Sequence, residues 1–168
     1  MTVVVDTNVI LVANGQHEGV SPECIANCGQ RLGEIVASGR IAIDDRYEIL
    51  GEYQNKTAHK TGKRAGDAFL KWVLRNNANP QRCDQVRLAA HPARGFEGFP
   101  DDSRLANFDP KDRVFVAVAA AHPEKPTIFQ AADSKWVDWS VPLADHGVIV
   151  DFLCKQDIHR FRQNKVGP

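Results

Sequence analysis

Val3-Val4-Val5-Asp6-Thr7-Asn8 is the stretch that decides how this chain is read. Three β-branched apolar residues in a row predict a strand buried on both faces, as in a parallel sheet, with Asp6 at its carboxyl end. In open α/β sheets ligands gather just outside those ends, so an acid there is placed to hold a metal or to begin a reaction. The position is also costly, because a carboxylate beside a buried strand needs partners. The rest of the sequence can be searched for them.

Downstream, residues 9–13 predict a short helix that stops at the turn-forming pair Asn14-Gly15. Ser21-Pro22 supplies an N-cap and a proline at the first helical position, and the helix is expected to run to Ser38 before Gly39. Its apolar residues Ile25, Leu32, Ile35 and Val36 fall on one side. Residues 41–43 form a second short strand, closed by Asp44-Asp45. A helix carrying Glu48 and Glu52 on a common face comes next, then a basic helical stretch over 56–75 with Lys56, Lys60, Lys63, Arg64, Lys71 and Arg75 against the single acid Asp67. A weak third strand is expected over 86–90. Residues 91–110 read as one long loop rich in proline and glycine. Asp109-Pro110 opens an alanine-rich helix that includes Asp112 and ends before Pro123. Further strands are expected over 126–129, with Asp133 just past its exit, and over 147–150, after which Asp151 caps a closing helix to about Arg162.

At 168 residues the chain fits one domain, expected over 1–162, with a loose tail over 163–168. The alternation of strands and helices places it in the α/β class. Lysine plus arginine and aspartate plus glutamate both number 21, so net charge points to no partner and only local charge carries information. No apolar run nears the roughly 18 residues a membrane helix requires, and the expectation is a soluble, cytoplasmic protein. Cys24, Cys28, Cys83 and Cys154 lack the paired spacing of a structural zinc site, and free thiols in a reducing compartment are expected.

Four acids thus stand at the ends of apolar elements: Asp6, Glu52, Asp112 and Asp133. Carboxylates gathered in one place repel one another unless a cation or raised pKa values relieve the charge. Oxygen ligands of this kind suit hard cations such as Mg²⁺ or Mn²⁺. The segments Val3-Val4-Val5-Asp6-Thr7-Asn8-Val9, Glu48-Ile49-Leu50-Gly51-Glu52-Tyr53, Asp112-Arg113-Val114-Phe115-Val116-Ala117-Val118-Ala119 and Asp133-Ser134-Lys135-Trp136 resemble, in order and spacing, the signatures of PIN-domain ribonucleases. The resemblance spans residues 2–151. It implies a three-layer α/β/α sandwich with a central parallel sheet, binding of one or two Mg²⁺ or Mn²⁺ ions, and hydrolysis of single-stranded RNA. It also implies that Asp6, Glu52, Asp112 and Asp133 are catalytic and metal-binding, with Asn8 orienting the first acid or a metal-bound water. Glu48 is a supporting residue or an alternative to Glu52. Where many relatives carry threonine or serine two positions before the last acid, this chain has Ala131.

On that reading Lys56, Lys60, Lys63 and Arg64 are candidates for contact with the RNA backbone, and Trp136 and Trp139 for base stacking. The resemblance further implies a toxin or effector of a bacterial regulatory or defence system, an inhibitory partner protein and a homodimer. Each feature also has a plainer account. Asp112 suits a helix N-terminus, Glu52 can pair with Lys56, Asp133 can cap an element beginning at Ser134, the basic run can be a solvated face, and the tryptophans can be core. Two other functions remain open: a PIN-like fold without turnover that binds RNA or acts as a scaffold, and a haloacid-dehalogenase-like phosphatase. The latter needs a second aspartate where Asn8 stands.

Overall fold

The computed structural model describes residues 1–165. It is an α/β/α sandwich around a five-stranded, wholly parallel sheet. The strands are β1 (Thr2–Val5), β2 (Arg40–Asp44), β3 (Cys83–Val86), β6 (Thr127–Gln130) and β7 (Val150–Phe152), in the spatial order β3-β2-β1-β6-β7. All four residues of β1 are buried, as a central strand covered on both faces requires. The order reverses between β1 and β6, and crevices for ligands open at such a switch point, beyond the carboxyl ends of the strands.

Helices α1 (Thr7–Ala13), α2 (Pro22–Ser38) and α4 (Ala65–Asn76) pack against one another, while α5 (Arg113–Ala121) lies across β1, β2 and β6. Helix α2 has the bounds its sequence predicts: the Ser21 hydroxyl accepts from the Cys24 N–H at 3.1 Å, and Pro22 occupies the first turn. Every residue of α5 from Arg113 to Ala119 is buried, in keeping with its apolar sequence. Between β2 and α4, α3 (Glu48–Lys56) projects Tyr53 inward, and its hydroxyl donates to the carbonyl of Val5 at the end of β1.

Several expectations shift. The third strand lies at 83–86 rather than 86–90. Its polar residue Asp84 is accommodated at the sheet edge by Arg40 and by His122, 2.8 Å away. The supposed loop over 91–110 contains a small antiparallel hairpin, β4 (Ala90–His91) with β5 (Gly95–Phe96). Arg113 anchors this region: its buried guanidinium donates to the carbonyls of Arg94, Ala106 and Phe108 and lies over the Phe99 ring. An unforeseen helix, α6 (Lys135–Asp145), accommodates Pro142. The last strand starts at Val150, so Asp151 lies within it and pairs with Arg31 at 3.0 Å instead of capping a helix. The closing helix, α7 (Lys155–Lys165), continues through the first three residues of the expected tail, and 166–168 lie outside the described residues.

The cysteines also depart from expectation. Cys24 and Cys154 form a disulfide across a sequence separation of 130, while Cys28 and Cys83 are buried free thiols that burial pushes up to about 12. No helix among the described residues is long and apolar enough to cross a membrane.

Candidate active site

Asp6 follows β1 and Asp133 follows β6, so these two acids flank the switch point of the sheet. Asp6 is the N-cap of α1. Its Oδ2 accepts from the Asn8 N–H at 3.0 Å, while its backbone N–H donates to the Phe129 carbonyl at 3.0 Å, binding the exit of β1 to β6. Asn8 completes the bracket, because its side-chain oxygen accepts from the Ala132 N–H at 2.9 Å.

Asp112 and Glu52 approach from α5 and α3. The charge of Asp6 is opposed by Asp112 and Glu52, and that of Asp112 by Asp109, Glu52 and Asp133. These mutual repulsions mark one anionic neighbourhood. Burial is the larger cause of perturbation in each case: it holds the Asp6 carboxyl well above its ordinary range, pushes Asp112 up to about 7, and raises Glu52. Among the described residues none of the four acids has an ion pair within 4.0 Å. Lys56 and Lys111 relieve Glu52 alone. Arg113, beside Asp112 in sequence, is turned away to backbone carbonyls.

Asp112 stands at the N-cap position of α5, as its plainer account expects, but its side chain makes no capping hydrogen bond, and Asp109 accepts from the Lys111 N–H one turn earlier. Asp133 does cap: its Oδ1 accepts from the Lys135 N–H at 3.1 Å, which leaves its second oxygen for another partner. Glu48 stands apart from the group. It is exposed, and its charged neighbours are Asp44 and Arg46.

Six buried side-chain nitrogen or oxygen atoms among the described residues lack a hydrogen-bond partner, and four of them surround these acids. Asp6 Oδ1 and Gln130 Nε2 are neighbours, Thr7 Oγ1 faces Glu52, and Trp136 Nε1 faces Asp112, each close enough to favour the charged carboxylate but short of a well-formed bond. The donor set is all oxygen, which suits Mg²⁺ or Mn²⁺. The four carboxylates do not close to within 4.8 Å of one another; among the described residues only the sulfurs of Cys24, Cys28 and Cys154 form such a tight set. At this spacing no three of the carboxylates could ligate one Mg²⁺ directly without moving together, since octahedral ligands at about 2.1 Å lie closer than that.

The basic and aromatic candidates fare differently. Lys56 is exposed at the end of α3 near Glu52, whereas Lys60 and Lys63 are exposed in the segment between α3 and α4. Arg64 is structural. It pairs with buried Asp67 at 3.3 Å and donates to the Asn14 carbonyl. Trp136 is fully buried and Trp139 is 9% exposed, both against Phe108, so neither offers an open stacking face. Sequence reading missed Lys111, two residues past Asp109, and gave no role to Lys135. Cavities of about 680 Å³ and about 450 Å³ meet at Ser134 and Lys135, the first reaching Asp109 and Arg162 and the second Asn8 and Asp133. Exposed Lys111 acts on the charge of Glu52, and exposed Lys135 lines a cavity together with Asp133.

No family model, curated protein or solved structure matches the chain.

Proposed function

We propose that this protein is a Mg²⁺- or Mn²⁺-dependent endoribonuclease acting on single-stranded RNA, with Asp6, Glu52, Asp112 and Asp133 as its acidic centre, in keeping with the resemblance to PIN-domain ribonucleases. The observation that carries the reading is the meeting of four carboxylates from β1, α3, α5 and the β6 exit without an ion pair to any of them among the described residues. Structural acids are normally paired or hydrogen-bonded; these are neither fully.

Asp6, Asp112 and Asp133 are the residues that would hold the cation. When bound, it would supply charge neutralisation at the phosphate and a more acidic water. Glu52, raised by burial and beside the Thr7 hydroxyl, is placed to accept the proton of an attacking water. The new oxygen–phosphorus bond forms as the bond to the ribose leaving oxygen breaks, and that oxygen takes up a proton. Asn8 keeps Asp6 and the Asp133 loop in register, while Lys111 and Lys135 provide sequence-independent contact to backbone phosphates.

The test is a labelled single-stranded RNA incubated with metal-free protein, then with Mg²⁺ or Mn²⁺. Cleavage is expected only with the cation and is expected to vanish in Asp6→Asn. Metal-dependent RNA binding without any cleavage would replace the nuclease with the binding-module reading. Cleavage that persists in the presence of a chelator would overturn the metal centre.

A further inference from the structure

A second constellation lies on the other side of α2. Cys24 and Cys28 are one turn apart on that helix, so their side chains share a face. Cys154, just after β7, reaches both: it is bonded to Cys24, and its sulfur is 3.8 Å from that of Cys28. All three side chains are buried, and the sulfurs lie within 4.8 Å of one another. A buried thiol alone is a small apolar core residue, and a cross-link needs only two cysteines. The third sulfur, 3.8 Å from that of Cys154 and within 4.8 Å of that of Cys24, is what requires an account. Cys24 and Cys154 also line an open cavity of about 690 Å³ between α2 and the start of α7, where Asp151 and Asp157 add negative charge.

We propose that, once the Cys24–Cys154 bond is reduced, Cys24, Cys28 and Cys154 form a three-thiolate site for a zinc-type cation, with the fourth coordination position opening into this cavity. Thiolates select Zn²⁺ over the hard cations suited to the carboxylates. Tetrahedral coordination at a Zn–S distance of about 2.3 Å puts sulfurs ~3.8 Å apart. The Cys28–Cys154 pair already has that spacing, so Cys24 alone has to withdraw from its bonded position. Asp157 is held by Ser21 and Arg160 and contributes charge from outside the ligand set.

The chemistry balances with a dithiol as reductant. Its two electrons and two protons convert the disulfide to two thiols, and the dithiol leaves as a cyclic disulfide. Three thiols then release three protons as the cation binds. A disulfide oxidant reverses the order: two thiolates give up two electrons, the Cys24–Cys154 bond reforms and the cation leaves. The molecule would thus exchange a covalent tie between α2 and the β7 exit for a metal one.

The test uses the full chain carrying Asp6→Asn, so that the acidic centre contributes less metal binding. Protein is reduced with a dithiol, freed of it without oxygen, shown by thiol titration to expose all four cysteines, and titrated with Co²⁺. One equivalent is expected to produce a thiolate-to-cobalt charge-transfer band that one equivalent of Zn²⁺ removes, whereas oxidised protein gives no band. Cys28→Ser is expected to weaken Zn²⁺ binding by at least about 100-fold, the upper range for losing even an outer-sphere group. Cys83→Ser, which changes a thiol outside the trio, should bind as the parent does. Reduced, folded protein without the band, or equal affinity in Cys28→Ser, would overturn the proposal.

Discussion

Two aspartates close adjacent strands of the same sheet, and the sequence presents them alike: Asp6 after β1 and Asp44 at the end of β2. Both are nearly inaccessible, at 5% and 1% exposure. Asp44 has its oxygens occupied. Oδ2 accepts from the N–H groups of Arg46 and Glu48, and Oδ1 from that of Ile49, so this carboxylate organises the start of α3 around Tyr47, whose φ of 60° is left-handed. Asp6 accepts one backbone hydrogen bond, and its other oxygen has only the Gln130 amide beside it, short of a well-formed bond. The difference teaches that an acid at a strand end is not in itself a site. What separates the two is whether the protein has already answered the charge.

The sharpest way to break this contrast is to remove each acid. Asp6→Asn is expected to lower RNA cleavage at least about 100-fold, since losing a direct ligand should cost no less than losing an outer-sphere one. Its melting temperature should hold or rise, because a poorly compensated buried charge has been removed. Asp44→Ala should do the reverse. Leaving three N–H groups without an acceptor costs about 2 kcal/mol, or about 4–8 °C in a chain of this length. Activity below the melting transition should be largely retained. Cleavage assays and calorimetry on both variants decide the matter, and a swap of the two phenotypes would end the comparison.

The two acids of α3 extend it to a smaller effect. Glu52→Gln is expected to reduce cleavage about 10–100-fold, in the range of general acid–base catalysis, whereas Glu48→Gln should change it less than about twofold, as expected for an exposed group away from the centre. Equal losses in the two variants would place the centre one helical turn from where it has been drawn.

A pH series tests the electrostatics without mutation. Burial lifts the folded-state pKa of Asp112 from an ordinary 3.8 to about 7. Between those values the folded chain retains a proton that the unfolded chain has released, so stability falls as pH rises through this window and levels off above it. Asp6, also raised, adds in the same direction. Metal-free protein should therefore have a higher urea midpoint at pH 5 than at pH 8. Mg²⁺ binding should strengthen over the same rise, because only the deprotonated carboxylate is a good ligand. A flat midpoint across the range would show that the acids are better solvated than their burial implies.

The smallest expected change concerns the substrate path. Lys111→Ala should raise KM a few-fold and flatten the salt dependence of RNA binding by about one unit, with kcat little altered. Lys60→Ala, in the exposed segment between α3 and α4, should do less. The salt slopes of the two variants would distinguish them.

How much of this was visible in the sequence depends on which interactions are local. The buried run of β1 and the Ser21-Pro22 start of α2 are written in adjacent residues and form where patterning places them, whereas α5 keeps its apolar run but begins at Arg113, after a 3-10 turn over Pro110–Asp112, and not at Asp109-Pro110. The acids could be named, but the feature that distinguishes Asp6 from Asp44 could not, because it depends on hydrogen bonds that only the folded backbone offers. Helix α6 was hidden by Pro142, and β3 by the polar Asp84 and Gln85 at a sheet edge. The Cys24–Cys154 bond joins positions 130 apart and leaves no spacing pattern to read. Trp136 and Trp139 have the right spacing for a surface pair, yet burial against Phe108 is decided by a loop that carries no periodic signal.

The hydrogen bond from Ala132 to the Asn8 side chain carries a final consequence. With the Asp6-to-Phe129 link it stitches two strand exits, more than a hundred residues apart along the chain, into a single rigid yoke. Asp6 and Asp133 are thereby held to each other through backbone, and the Tyr53 hydroxyl fastens α3, which carries Glu52, to the same end of β1. The end of β1 acts as a keystone for both sides of the acidic group.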